Sequence, residues 1–250
     1  MMEGFKIPGG SVEIWESPAE ISRRAAEMFI GIAREAITDR GRFSVALAGG
    51  STPRLTYELL ASEEYVPRLE WDKVHFFWSD ERCVPPGNDQ SNYLMAAEAM
   101  LNHLPIEHEQ IHRMRGEDDP AEAAASYQKE ILEFFAGAEP RFDLIMLGMG
   151  EDGHTASLFP GAVEFGDREH LVAAPFVAKF KTNRLTLAVF TLNLAAQVMV
   201  LTAGEGKAAA LKQVLRDDTE EGEELPARLV RPVNGERLWL VDEAAASQLG

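Results

Sequence analysis

Short apolar segments alternate with segments of helical periodicity along almost the whole chain. Ser17, Pro18 and Glu20 form a capping pattern, and apolar residues follow at helical spacing as far as Ala36, which predicts the first helix. Further strands are predicted at 43–48, 74–78, 143–147, 185–190, 198–202 and 238–241, and helices at 51–61, 91–101, 119–135, 206–215 and the C-terminus. This alternation predicts an α/β fold with a mainly parallel sheet and helices on both faces. Such folds bind ligands at the carboxyl ends of their strands.

The composition is that of an ordinary globular protein. The chain has 250 residues, of which 46% are hydrophobic and 26% charged, and since no repeat or low-complexity linker is visible, we expect one domain over residues 1–250. Cys83 is the only cysteine, so no intramolecular disulfide can form. The first residues contain no continuous apolar region, and no stretch approaches the roughly 20 apolar residues of a membrane span. We therefore expect a cytoplasmic protein without a membrane partner.

The charge balance restricts the choice of partner. Forty-one acidic and 24 basic residues give a net charge of -17, which opposes binding to nucleic acid or to anionic lipid. A small anion can still bind where backbone N–H groups or a few basic side chains converge. The acidic stretch 217–224 is predicted to be a solvated loop. The sequence leaves the oligomeric state open between a monomer and a small homo-oligomer.

Three short segments follow predicted strands. The G-G-S-T-P sequence at 49–53 precedes a helix, so it is either an ordinary tight turn or a site for a phosphate or carboxylate. In either case Ser51 or Thr52 is predicted to cap the helix. The S-D-E-R sequence at 79–82 is either a solvated salt-bridge turn or part of a site. Lys207, in the first turn of a helix, opposes the helix dipole and is easier to understand beside an anion.

Residues 108–112 match H-E-x-x-H, a zinc protease pattern. Pro105 and Gly116 confine this segment to a short stretch without an amphipathic face, so an ordinary loop is the favoured interpretation and no metal is expected. His75 alternates within an aromatic strand and is interpreted as a core histidine.

Gly148, Gly150 and Gly153 satisfy the G-x-G-x-x-G spacing of a dinucleotide fingerprint. That fingerprint continues into a long helix, whereas Pro160 arrives too early to allow one here. The dinucleotide interpretation is therefore disfavoured. His154 remains as a polar residue at the edge of the sheet, either structural or functional.

Four motifs in the same order resemble the 6-phosphogluconolactonase family. They are L-A-G-G-S-T-P at 47–53, W-S-D-E-R-C-V-P at 78–85 followed by S-N-Y at 91–93, L-G-M-G-E-D-G-H-T-A-S-L-F-P at 147–160, and G-K-A at 206–208. The match runs from about residue 10 to residue 245. The resemblance implies a modified Rossmann-like fold, of the type found in glucosamine-6-phosphate deaminase and ribose-5-phosphate isomerase. It also implies hydrolysis of 6-phospho-D-glucono-1,5-lactone to 6-phosphogluconate in the oxidative pentose phosphate pathway.

The resemblance also implies roles for individual residues. His154 would be the general base that activates water, Asp152 would orient it or hold the substrate, and Arg82 is the candidate oxyanion donor. The expected substrate and phosphate ligands are Gly49, Gly50, Ser51, Asp80, Gly153, Arg184 and Lys207. No cofactor or metal is required, because an activated water suffices. In this chain K-F-K-T-N-R at 179–184 stands where the family often has a lysine, two prolines and an arginine, which leaves the role of Arg184 less defined.

Two alternatives remain open. Glucosamine-6-phosphate deaminase shares the turn and a G-H segment, but this chain has D-E-R where the deaminase usually has D-E-Y, and D-G-H-T where it has N-G-H-I. A non-catalytic sugar-phosphate binding protein would keep the turn but has no use for the base at His154.

Overall fold

The computed structural model describes residues 3–215 and 225–249. Within these ranges the strands are β1 (Glu3–Ile7), β2 (Gly10–Trp15), β3 (Phe43–Leu47), β4 (Val74–Trp78), β5 (Asp80–Arg82), β6 (Leu144–Gly148), β7 (Val172–Ala173), β8 (Phe176–Val177), β9 (Thr182–Leu187), β10 (Gln197–Thr202) and β11 (Glu236–Asp242). The α-helices are α1 (Pro18–Arg40), α2 (Ser51–Leu60), α3 (Asn92–Ala99), α4 (Pro120–Phe134), α5 (Val189–Asn193), α6 (Ala208–Leu215), α7 (Pro226–Leu229) and α8 (Glu243–Ala246). The acidic stretch 217–224 lies outside the described residues. None of the helices within the described ranges is long and apolar enough to cross a bilayer.

The first helix begins where the sequence predicts. The Ser17 side chain accepts a hydrogen bond from the N–H of Glu20, whose carboxylate in turn accepts one from the N–H of Glu16. Pro18 is the first helical residue, and Gly41 ends the helix in the left-handed conformation with φ of 75°. The predicted capping pattern is therefore confirmed, although the helix extends beyond Ala36 to Arg40.

Of the described strands, seven form one sheet in the order β1-β2-β11-β10-β6-β3-β4. Within this sheet β1 and β2 pair antiparallel, and the other neighbouring strands pair parallel. The predicted mainly parallel sheet is confirmed. The N-terminal hairpin β1–β2 was not predicted, although Val12, Glu13 and Ile14 show the alternation of a half-buried strand; this alternation is too short to distinguish a strand from a loop.

Helices cover both faces of this sheet. Consecutive side chains of a strand point to opposite faces, so Phe76 and Phe77 of β4 lie on opposite faces of the sheet. Phe76 stacks on Trp71, which contacts Phe29 of α1, whereas Phe77 packs edge-on against Phe134 of α4. The sheet lies between α1 and α4, as the sequence predicts.

A second, antiparallel sheet corrects the sequence-based prediction. Strand β9 pairs with β5, β7 and β8, so the D-E-R segment is a strand rather than a loop. The predicted strand at 185–190 is wrong in its bounds and its sheet, since β9 starts at Thr182 and Phe190 lies in α5. The first half of β9 is polar, and ladder hydrogen bonds define it rather than an apolar run.

The chain turns back after β6 instead of entering a long helix. Gly153 has φ of 73°, and isolated bridges join Thr155 to Leu158 and Phe159 to Ala162. These short turns confirm that the glycine spacing is not followed by the helix of a dinucleotide-binding unit.

The H-E-x-x-H segment has no helix that carries both histidines. Residues 108–110 form a single 3-10 turn with His108 exposed. His112 lies beyond this turn and is hydrogen-bonded to Glu130 at 2.7 Å and to His75 at 3.1 Å. Across the described parts of the chain, no three His, Cys, Asp or Glu side chains converge closely enough to hold a metal ion.

Candidate active site

A cavity of about 230 Å³ opens at the carboxyl ends of β3 and β6. These strands are neighbours, but the chain leaving β3 returns as β4 on one side, and the chain leaving β6 returns to the sheet as β10 on the other. Neighbouring strands with oppositely directed connections leave a crevice in which α/β proteins bind ligands. The cavity is lined by residues 48–53, Asp80, Arg82, residues 148–150, His154, Ala156, Leu201, Ala203 and Lys207.

The G-G-S-T-P turn (residues 49–53) forms one wall. Gly50 precedes α2 with φ of 104°, and no side chain caps this helix, so the predicted capping by Ser51 or Thr52 is wrong. Ser51 is instead the first helical residue, because the left-handed backbone of Gly50 places the glycine at the cap position. The first N–H groups of α2 therefore lie at the cavity without a capping side chain, as an anion site requires.

Gly49 is required by close contact with α3. A Cβ atom at this position would lie 2.0 Å from Oδ1 of Asn92. Only glycine fits beside this amide, so Asn92 fixes the start of the G-G-S-T-P turn.

His154 and Asp152 form a histidine-carboxylate pair. Nδ1 of His154 is hydrogen-bonded to Oδ1 of Asp152, and Lys179 donates a hydrogen bond to Oδ2 at 3.1 Å. Partial burial opposes ionisation of Asp152, but the bonds from His154 and Lys179 outweigh it and lower its pKa to about 2. The carboxylate is charged at neutral pH and accepts the Nδ1 proton, which leaves the lone pair of a neutral imidazole on Nε2.

The imidazole of His154 is also held by packing. Its ring stacks on Phe159 with the centroids 4.3 Å apart. The N–H of Gly150 donates to the carbonyl of His154 at 2.8 Å, and a Cβ atom at residue 150 would lie 2.0 Å from Nδ1. Gly150 thus makes room for the ring. Gly153 does not line the cavity; it supplies a left-handed backbone that packs against Leu225, with 3.0 Å from its virtual Cβ to Cδ2.

The second sheet supplies two arginines. Arg82 of β5 pairs with Arg184 of β9 in the antiparallel ladder. Burial and the neighbouring charge of Arg82 lower the pKa of Arg184, which is only 8% exposed. The ring of Phe180 lies 5.0 Å from the Arg184 guanidinium carbon, and no carboxylate of the described residues forms an ion pair with it. Arg184 is thus a largely buried cation beside Arg82, and the nearby carboxylates of Asp80 and Glu81 offset part of its charge without forming an ion pair with it.

Asp80 joins the two sheets and the loop after β6 (residues 149–160). Its Oδ2 accepts a hydrogen bond from Ser157 Oγ at 2.7 Å, and its Oδ1 accepts one from Asn92 Nδ2 at 3.2 Å. Both oxygens already have protein donors, so this carboxylate is fixed in place. Whether it also binds the substrate, as the sequence-based interpretation has it, stays a prediction.

Lys207 completes the cavity from the other side of β6. It ends the 3-10 turn Glu205–Lys207 that follows β10. Gly206 in that turn lies close to the loop after β6, because a Cβ atom added to it would lie 2.7 Å from Oε1 of Glu151. Lys207 thus provides a second cation opposite Arg82.

Most of the predicted site residues converge on one cavity. Those that line it are Gly49, Gly50, Ser51, Asp80, Arg82, His154 and Lys207. The others lie behind it: Asp152 binds His154, Gly153 precedes His154, and Arg184 pairs with Arg82. Sequence reasoning missed Asn92 and Ser157, the two donors to Asp80. The only available signals were the polar Ser157 beside the apolar end of the loop after β6, and the polar Asn92 directly after the Ser91 cap.

The fold and the site together define a Rossmann-like α/β protein, with a histidine-carboxylate pair and a glycine-rich helix start at the sheet's switch point. Over residues 16–239 the chain matches the family described as Glucosamine-6-phosphate isomerases/6-phosphogluconolactonase. The chain belongs to this family.

Individual relatives agree with this membership. The chain is 37% identical over 243 residues to a 6-phosphogluconolactonase of Nostoc sp., covering 96% of this chain and 98% of the relative. The solved 6-phosphogluconolactonase from Trypanosoma cruzi superimposes with a TM-score of 0.84 at 29% identity, covering 95% of this chain and 96% of that one. A monomeric glucosamine-6-phosphate deaminase shares the fold, with a TM-score of 0.79 at 19% identity over 95% and 99% of the two chains. The expected fold type is thereby confirmed.

Proposed function

We propose that this protein hydrolyses 6-phospho-D-glucono-1,5-lactone to 6-phospho-D-gluconate in the oxidative pentose phosphate pathway. The observation that carries the proposal is the position of His154. Its Nδ1 is committed to Asp152, and the residue lines a cavity that also contains the G-G-S-T-P turn, Arg82 and Lys207. The names of the relatives support the same activity.

His154 would act as a general base. Nε2 removes a proton from a water molecule while the water oxygen forms a bond to the lactone carbonyl carbon, and the carbonyl electron pair moves onto its oxygen. When the tetrahedral intermediate collapses, the bond from this carbon to the ring oxygen breaks, and the ring oxygen takes the proton from His154 to become a hydroxyl. The carboxylic acid product then loses a proton to water. Asp152 keeps the imidazole oriented and stabilises its protonated form.

The other cavity residues would bind charge. The backbone N–H groups at the start of α2, the Ser51 hydroxyl and Lys207 suit the phosphate, since a helix start and an ammonium group both attract anions. Arg82, supported by Arg184, suits the oxygen that becomes negative during attack. No step requires a metal or a cofactor.

We further propose that the protein acts in the cytoplasm as a monomer or a small homo-oligomer. A doubly charged sugar phosphate does not cross a lipid bilayer readily, so its enzyme is expected where the substrate is made.

The decisive experiment offers two substrates to the purified protein. Freshly generated 6-phosphogluconolactone should release acid faster than its spontaneous hydrolysis, whereas glucosamine 6-phosphate should release no ammonia. Ammonia release would assign the protein to the deaminase branch of the family. Tight binding of 6-phosphogluconate without turnover of either substrate would instead indicate a sugar-phosphate binding protein.

A further inference from the structure

Two buried tyrosine hydroxyls bind the backbone at the ends of strands that lead into the cavity. The hydroxyl of Tyr57, in α2, donates to the carbonyl of Ala48 at 2.9 Å and accepts from the N–H of the same residue at 3.0 Å. Tyr57 is fully buried. Ala48 directly follows β3 and precedes Gly49, so one side chain satisfies both peptide groups at the start of the G-G-S-T-P turn.

Tyr127 makes the corresponding contact at the end of β4. Its hydroxyl accepts from the N–H of Trp78 at 2.8 Å and lies 3.4 Å from the carbonyl of Trp78. Trp78 is the last residue of β4, and Asp80 and Arg82 follow it in β5. The two strands that deliver cavity residues from the first half of the chain therefore end in the same way.

Each hydroxyl takes the place of a neighbouring strand. The residues of β3 and β6 pair only as far as Ala46 and Ile145, whereas β6 stays paired with β10 as far as Gly148. The peptide groups of Ala48 thus have no strand partner on that side, and buried peptide groups require one. Trp78 lies on β4, an edge strand of the sheet. Its N–H and C=O groups also have no strand partner among the described residues, and the Tyr127 hydroxyl binds them instead.

The consequence is that β3 and β6 separate where the cavity opens. If the ladder continued to Ala48, the ends of the two strands would close the crevice between the G-G-S-T-P turn and the loop after β6. The Tyr57 hydroxyl satisfies Ala48 without a strand, and so allows the chain to leave the sheet at this point. It also fixes the direction in which Gly49 and Gly50 leave it.

We propose that Tyr57 and Tyr127 are positioning residues of the active site, Tyr57 for the G-G-S-T-P turn and Tyr127 for Asp80 and Arg82. Neither hydroxyl contacts the cavity itself; each acts through the backbone of the residue that it binds. This inference rests on the proposed function for its kinetic consequences but not for its structural ones. A hydroxyl that serves only stability would leave the turn and Arg82 in place.

The test uses Tyr57→Phe and Tyr127→Phe, which remove the hydroxyls and keep the rings. The matched control is Tyr65→Phe, because Tyr65 is equally buried but its hydroxyl binds Glu27 at 2.8 Å, among residues that do not line the cavity. Hydrogen exchange measured by mass spectrometry should accelerate in residues 48–51 of Tyr57→Phe and in residues 78–82 of Tyr127→Phe. Neither segment should change in Tyr65→Phe.

Kinetics provide the second measurement. Tyr57→Phe should raise KM for the phosphorylated lactone by about tenfold or more, with a smaller effect on an unphosphorylated lactone, because the displaced turn binds phosphate. Tyr127→Phe should chiefly lower kcat. If both variants lose only melting temperature, as we expect for Tyr65→Phe, with exchange and kinetics unchanged, the positioning role is wrong. If the wild-type protein does not hydrolyse the lactone at all, the proposed function fails. Hydrogen exchange in residues 48–51 and 78–82 then still tests whether the two tyrosines position these segments.

Discussion

The imidazole of His154 is hydrogen-bonded through Nδ1 to the carboxylate of Asp152, and Lys179 binds the other oxygen of that carboxylate. Lys179, Asp152 and His154 thus form a hydrogen-bonded chain that ends at the cavity. This arrangement fixes which ring nitrogen can act as a base, and it is the relationship on which the kinetic predictions depend.

Replacing the base should abolish most of the turnover without harming the fold. We expect His154→Ala to lower kcat by about 10² to 10⁴-fold, the usual contribution of general-base catalysis, while 6-phosphogluconate still binds. The measurement is acid release from fresh lactone, corrected for spontaneous hydrolysis. His170→Ala is the matched control, since His170 also pairs with an aspartate, Asp167 at 2.9 Å, but lies on the surface. An unchanged kcat in His154→Ala would remove the histidine from the mechanism.

Lys207→Ala should chiefly affect substrate binding. A hydrogen bond to a charged group contributes about 1.5 to 3 kcal/mol, so we expect KM for the phosphorylated lactone to rise about tenfold to a hundredfold. Lys212, in the following helix α6, lies outside the cavity, so Lys212→Ala should behave like the wild type. Equal effects on phosphorylated and unphosphorylated lactones would contradict the assignment of Lys207 to the phosphate.

Gly150→Ala tests the space beside the histidine. The new Cβ would lie 2.0 Å from Nδ1 of His154, so the imidazole must move away from Asp152. We expect kcat to fall by at least tenfold, because a displaced base loses its alignment, with a smaller change in KM. Gly31→Ala in α1, where a Cβ meets no atom within 4 Å, provides the control. A fully active Gly150→Ala enzyme would show that the close contact does not position the ring.

The acid stability of the protein should depend on His75. Burial and the neighbouring His112 and Arg42 lower its pKa to about 4, whereas an unfolded chain binds the proton near pH 6.5. The unfolded state therefore binds more protons between these values, and the free energy of unfolding should fall as the pH drops from about 6.5 to about 4. His75 is only partly buried, so we expect an effect on the order of 1 kcal/mol.

Urea unfolding at several pH values provides the measurement for His75. His75→Phe should flatten the decrease over this pH range, whereas the same substitution at the exposed His103 should leave it unchanged. An identical pH dependence in wild type and His75→Phe would assign the effect to other groups.

The sequence predicts those parts of the molecule that depend on local patterns. Capping at Ser17, the buried run of β3 and the early Pro160 are local signals, and each has its expected structural outcome. The convergence of Gly49 and His154 follows from the rule that strand ends meet at one edge of a parallel sheet.

The features that the sequence could not predict depend on distant partners. Arg184 is polar and pairs in the antiparallel ladder with Arg82, in a strand far earlier in the chain that the local sequence of β9 does not specify. Asn92 is recognisable as important only once it is seen against Gly49 and Asp80. Sequence periodicity records burial, and it contains little information about pairing between polar segments.

The pairing of Arg82 with Arg184 also has a kinetic consequence. The two strands are far apart in the chain, and contacts of such long range form slowly because the closure entropy of the whole intervening segment must be overcome first. A polypeptide still emerging from the ribosome can contain the G-G-S-T-P turn and β5, but not the strand that aligns the two guanidinium groups. Recovery of enzymatic activity during refolding should therefore lag behind the recovery of helical circular dichroism, and activity becomes a reporter of the last assembled part of the fold.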